Sequence, residues 1–132
     1  MDSANFIRQT PGCDIRQEEL WLRARVGPGL ADEVQECYRT VANECLRNRC
    51  SRVLVLGVSQ FDAFDHLAGR DALRSLALAG VPEDFRLALV ALTPDLIAVY
   101  DSAVLEAERL DIEARRFHTE AEAERWLASQ DS

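Results

Sequence analysis

This chain contains no lysine: all fifteen of its basic residues are arginine. That absence removes every chemistry that turns on a lysine amine, from Schiff-base formation to the lysine of a phosphate-binding loop. Basic charge is also in short supply. Twenty-three acidic residues give a net charge of -8 and a pI of about 4.7. Such a field repels phosphate backbones and anionic lipid, which rules against nucleic acid as a partner. There is no C-x-x-C. Cys13, Cys37, Cys45 and Cys50 come no closer than C-x4-C and have no histidine near them, so the zinc patterns fail and no metal is expected. Cys37 and Cys45 fall on the apolar stripe of a predicted helix, where free cysteine acts as a small hydrophobe. Long hydrophobic runs are missing too. No window reaches the roughly 18 apolar residues of a membrane span, and the start MDSANFIRQT has neither a basic nor an apolar leader region. The expectation is a cytoplasmic protein with no membrane span.

What is present suffices for one domain. Of 132 residues, 48% are hydrophobic and 29% charged, an ordinary balance for a chain that folds on its own core. Residues 1–18 read as an irregular N-terminal segment with a turn at Pro11-Gly12 and a candidate short flanking strand at Phe6 and Ile7, and residues 19–129 as the folded domain. Leu20 to Val26 alternates, with Leu20, Leu22, Ala24 and Val26 on one face and Trp21, Arg23 and Arg25 on the other, which predicts a half-buried strand. After Gly27-Pro28-Gly29, apolar residues from Leu30 to Cys45 recur every three or four positions and predict a helix. Arg52 to Val58 and Phe85 to Leu92 are near-continuous apolar runs, as in strands covered on both faces. Between them Phe61 to Ala79 is helical, with Gly69-Arg70-Asp71 as a candidate interruption and Gly80-Val81-Pro82 as its stop.

Thr93-Pro94-Asp95 supplies an N-cap, a first-turn proline and an acid for a helix carried by Leu96, Ile97, Tyr100, Ala103, Val104 and Ala107. Ile112 to Phe117 is a more polar strand suited to an edge. Thr119 and Glu122 then have the spacing of a capping box before a helix with Ala123, Trp126 and Leu127 inward. Strands alternating with helices predict an α/β domain: a mainly parallel sheet of four or five strands with about four helices.

The pattern F-R-L-A-L-V, then T-P-D with an amphipathic helix, then a strand ending R-R-F and the run T-E-A-E-A-E-R-W-L, resembles the SpoIIAA-like family, which groups with STAS and Sec14-like (CRAL-TRIO) domains. The likeness covers about Leu20 to Ala128 and implies a β-α superhelical sheet. STAS domains of the anti-sigma-factor antagonist type carry a phosphorylatable serine in a D-S-S-G-like switch. The matching region here reads GVSQFDAFDHLAG, with Ser59 as the candidate phospho-site but neither a D-S nor an S-G pair. Sec14-like relatives hold lipids in an apolar cavity, and this chain is much shorter than those domains.

A parallel sheet gathers the carboxyl ends of its strands on one rim, where ligands bind. That rim nominates Ser59, Asp62, Asp65, His66, Thr93 and His118 as a candidate ligand or partner edge. No catalytic set stands out within it. Gly57-Val58-Ser59-Gln60-Phe61 begins like a nucleophile elbow, but phenylalanine replaces the glycine its tight turn needs. Asp62 and His66 have the i to i+4 spacing of two metal ligands, and equally that of a helix cap and a solvated histidine. Gly27-Pro28-Gly29 precedes Asp32 and Glu33, which a phosphate would meet as repelling charge. The residues therefore favour a non-enzymatic, regulatory module without a cofactor, binding a protein partner, a second copy of itself or a small apolar ligand. Two alternatives stand beside this reading: a dedicated lipid-like or apolar small-molecule binder, with its site between the sheet and the helix at Phe61 to Ala79, and a small hydrolase using Ser59 and His118 with Asp95.

Overall fold

Pro11 and Gly12 reverse the chain between two strands, β1 (Asn5–Thr10) and β2 (Cys13–Gln17), which pair antiparallel. The computed structural model describes residues 5–58 and 65–129. Where the sequence reads as an irregular N-terminal segment, residues 5–17 form this hairpin. The run Cys13-Asp14-Ile15 buries only its first and third side chains, too little alternation to announce a strand. Its partner supplies the rest, because β2 also lies antiparallel to β3 (Leu22–Val26), with Cys13 opposite Val26 and Ile15 opposite Ala24. β3 starts two residues later than the alternation suggests, and Leu20 is left exposed in the bend before it.

The β-α alternation then follows the expected course. Helix α1 (Ala31–Asn48) leads to β4 (Arg52–Gly57), α2 (Asp65–Ala79) to β5 (Arg86–Ala91), α3 (Ile97–Arg109) to β6 (Ala114–Phe117), and α4 (Glu120–Ala128) closes the chain. Strands β3, β4, β5 and β6 run parallel, and the strand order across the sheet is the order along the chain. The domain is therefore α/β with a six-stranded mixed sheet and four helices, rather than four or five strands, the hairpin making the difference.

Two apolar layers sandwich the sheet. Val53, Val55, Leu87 and Leu89 face α1, α2 and α3, whereas Leu54, Leu56, Ala88 and Val90 face Ala123, Trp126 and Leu127 of α4. This two-sided cover is why β4 and β5 are apolar throughout. Helix α2 runs unbroken through Gly69 and ends at Gly80, whose φ of 87° and N–H bond to the Leu76 carbonyl form the stop that glycine makes without strain. Gly57 has the opposite reason for being glycine: a Cβ there would run into the Tyr100 hydroxyl and stand 2.6 Å from its Cζ.

The helix starts divide the two threonines. Thr119 caps α4 through its side chain, accepting the Glu122 N–H at 3.2 Å. Thr93 does not cap. A 3-10 turn at Pro94–Leu96 precedes α3, and it is the Thr93 carbonyl that accepts the Leu96 N–H. The cysteines also differ from expectation. Cys37 is buried in α1 as foreseen, but it is bonded to Cys13 of β2, with the Cα atoms 5.7 Å apart. That pairing depends on the hairpin lying beneath α1, a contact 24 residues removed in sequence. Cys45 and Cys50 are free.

Candidate functional site

The rim foreseen from the alternation exists. The Val58 N–H bonds the Val26 carbonyl and the Leu92 N–H bonds the Gly57 carbonyl, so the exits of β3, β4 and β5 lie side by side, with Phe117 of β6 next to Val90. Thr93 and His118 follow neighbouring strands on that rim. His118 is exposed. Thr93 is half-buried, and its Oγ1 is enclosed without a hydrogen-bond partner among the described residues. Ser59 and Asp62 lie outside the described residues, and with them the phospho-site and the hydrolase. Asp65 and His66 occupy the first turn of α2. At the start of α1, the Glu33 carboxylate accepts the Leu30 N–H at 2.9 Å and Asp32 accepts the Glu33 N–H at 2.9 Å. These acids already take the amides that a phosphate behind Gly27-Pro28-Gly29 would need. Among the described residues no group of three or more histidine, cysteine or acidic side chains is placed to hold a metal.

A different site emerges beneath the helices. Between the sheet and α1, α2 and α3 lies a cavity of about 110 Å³. Its floor is Val53, Val55, Leu87 and Leu89; its walls are Val41 and Ala42 of α1, Leu73 and Leu76 of α2, and Val99 and Ala103 of α3. Ala42, Ala72 and Ala103 are among the small side chains that line it. A close-packed interior leaves few voids larger than a water molecule, and this one far exceeds the roughly 10–15 Å³ a single water requires.

The polar groups on its lining are few and grouped. Tyr38 and Tyr100 are both buried, and their hydroxyls bond each other at 2.9 Å, so neither is left asking a ligand for a partner. Arg70, Ser102 and Glu106 gather at one side, and the first two are exposed, which marks that side as the mouth. The Glu106 carboxylate, only 14% exposed, stands 3.7 Å from both Arg74 and Arg109. Arg70 makes no ion pair among the described residues. A mostly hydrocarbon chamber with charge at its entrance binds by burying apolar surface, and Cys45 is the thiol on its lining among the described residues.

The opposite face of the sheet is closed by charge as well as by Trp126. Arg23 of β3 reaches Glu18 at 3.0 Å and also pairs with Glu120 and Glu124 of α4. Arg86, 3% exposed, donates to the Trp126 carbonyl at 2.7 Å and to Ser129 at 3.0 Å, while Arg52 Nε donates to the Leu127 carbonyl at 3.0 Å. The apolar surplus of the two central strands is thus covered on both sides, and the unfilled volume lies inside rather than on an open sheet face. Sequence periodicity marks the walls of the cavity as core; it carries no signal that a space remains between them. No family model, curated protein or solved structure matches the chain.

Proposed function

We propose that this protein is a small, non-enzymatic regulatory module that holds a small apolar molecule between its sheet and helices α1, α2 and α3. The cavity of about 110 Å³, lined by hydrocarbon and entered past Arg70 and Glu106, carries the reading. Its position is the one a lipid-like or apolar ligand would take in the alternative drawn from the sequence, although the volume suits a single ring or a short chain rather than a whole lipid. What supports the SpoIIAA-like resemblance is the strand order, which follows the chain through four parallel strands with a helix between each pair.

Thermal unfolding with added indole, an aromatic probe of suitable size, tests the ligand reading. A ligand that binds only the folded state raises the Tm progressively as its concentration passes the Kd. The wild type is expected to respond. An Ala103→Leu variant, with the chamber filled, is expected to start at an equal or higher Tm and show no response. A wild type indifferent to indole, or a shift that survives Ala103→Leu, rejects the site. Native mass spectrometry of the purified chain adds an independent reading through any small molecule it retains.

A protein partner or homodimer draws on weaker support. Leu78 of α2 and Leu105 of α3 are exposed, but single apolar side chains on a surface are ordinary. The same mass spectrum reports subunit number. Cytoplasmic residence belongs to the proposal as well. No helix among the described residues is long and apolar enough to cross a membrane. The Cys13–Cys37 bond weighs the other way, since cytosolic thiols are kept reduced. Acid quenching of intact cells followed by alkylation of the unfolded protein decides: blocked Cys13 and Cys37 support the cytoplasm, and unblocked ones an oxidising compartment.

A further inference from the structure

The end of α1 brings two thiols together. Arg49 adopts the left-handed conformation, with φ 52° and ψ 46°; its N–H bonds the Leu46 carbonyl, and the Cys50 N–H returns to the Cys45 carbonyl at 3.0 Å. This is the Schellman arrangement, in which the residue just past the left-handed one packs against the helical residue five positions earlier. An apolar pair usually fills those places. Here they are Cys50 and Cys45, the two positions that this motif brings into contact. The Cys45 Sγ also lies 3.6 Å from the Cys50 carbonyl, and in its thiol form Cys50 donates to Gln17 Oε1 at 3.5 Å.

Their surroundings differ. Cys45 is buried and lines the apolar cavity, whereas Cys50 is half-buried and opens into a surface groove. Glu44 and Arg47 of α1 and Arg52 of β4 are the charged groups that face the groove, with Gln17 of β2 as its neutral neighbour. Neither sulfur can exchange in place with the Cys13–Cys37 bond, because eight residues of helix put Cys37 roughly 12 Å from Cys45 along α1.

We propose that Cys45 and Cys50 are a modification site, a thiol pair oxidised by low-molecular-weight disulfides, with Cys50 as the attacking sulfur and Cys45 as the resolving one. The Cys50 thiolate attacks one sulfur of the small disulfide. That sulfur–sulfur bond breaks, one small thiol leaves after taking up a proton, and Cys50 carries the other half as a mixed disulfide. Cys45 then gives up its proton and attacks the Cys50 sulfur, expelling the second small thiol. The pair loses two electrons and two protons, and the small disulfide becomes two thiols.

The division of roles follows from exposure and from acidity. The hydrogen bond from Cys45 lowers the Cys50 thiol from the ordinary 9.0 to about 7, against the opposing effects of burial and of Glu44. Donating that bond, together with burial, pushes Cys45 far up. A thiol that ionises near ambient pH is the better attacker.

The test uses the whole protein and glutathione disulfide. Trypsin cuts after Arg47, Arg49 and Arg52, so oxidation of the pair leaves peptides 40–47 and 50–52 joined by a new disulfide. The wild type is expected to give that linked product with no glutathione retained on either cysteine. Cys45→Ser is expected to keep glutathione on Cys50 as a stable mixed disulfide, and Cys50→Ser to take up none. Iodoacetamide labelling of the folded, reduced wild type is expected to modify Cys50 with a half-maximal rate near pH 7, ahead of Cys45. A wild type that retains glutathione on Cys50 without linking, a Cys50→Ser protein that still takes it up, or labelling of Cys45 as fast as Cys50 overturns the proposal.

Discussion

Thr93 and Thr119 precede helices in nearly the same sequence setting, yet only one of them caps. Thr119 Oγ1 accepts the Glu122 N–H, whereas Thr93 Oγ1 is enclosed without a partner among the described residues. Losing a helix cap costs about 1 kcal/mol. Removing a buried hydroxyl that bonds nothing relieves a desolvation penalty of comparable size. Thr119→Ala is therefore expected to destabilise by about 1 kcal/mol, and Thr93→Val to be neutral or stabilising, in urea unfolding. A common loss from both would assign Thr93 a capping role after all. The residue scale is also where sequence reading was least secure. A T-P-D run and a T-x-x-E run both advertise a cap, and the choice between hydroxyl and carbonyl depends on whether the first turn is 3-10 or α.

At the scale of elements, hydrogen bonds at the end of α4 and a disulfide at α1 are two of the cross-links that hold helices to the sheet. Arg86 and Arg52 donate to the last carbonyls of α4, where the helix dipole favours positive charge. Arg86→Met keeps the volume but leaves the Trp126 and Ser129 acceptors without those donors. It is expected to cost about 2–4 kcal/mol and to raise amide exchange first in the last turn of α4. Uniform exchange across that helix would show that Arg86 does not anchor its end. The second cross-link, Cys13–Cys37, joins the N-terminal hairpin to α1 across 24 residues. A loop of that length contributes about 3 kcal/mol by restricting the unfolded chain. Urea unfolding with and without reductant should differ by about that amount, the midpoint falling in reductant; coincident curves would show that the bond adds nothing. Element positions were legible because apolar spacing differs between strand and helix, and α1, β4, β5 and α3 lie within a residue or two of where spacing puts them. Of the hairpin only a short strand at Phe6 and Ile7 was legible, since β2 is a strand by virtue of its neighbours rather than its own pattern.

For the whole molecule, the sheet is the shared wall of two apolar layers, and neither layer is complete without it. The chain should therefore unfold in a single transition. Both tryptophans report on one side only, since Trp21 and Trp126 pack in the layer beneath α4, whereas far-ultraviolet circular dichroism is weighted toward the longer α1, α2 and α3. Tryptophan fluorescence and circular dichroism are expected to give the same midpoint. An earlier fluorescence change would mean that α4 and its layer come away as a separate unit.

The amino-acid order by itself determined the α/β class, the parallel run from β3 to β6, the two-sided burial of β4 and β5 and the capped closing helix. All of these follow from local spacing and capping chemistry, which act over a few residues. Tertiary structure alone decided that Cys13 meets Cys37, that Arg86 is buried against the end of α4, and that Ala42, Ala72 and Ala103 converge on one unfilled space. A periodic pattern states which face a residue turns inward. Whether the faces that meet there fill the volume between them depends on the sum of side chains from separate elements, a quantity that exists only once the chain is folded.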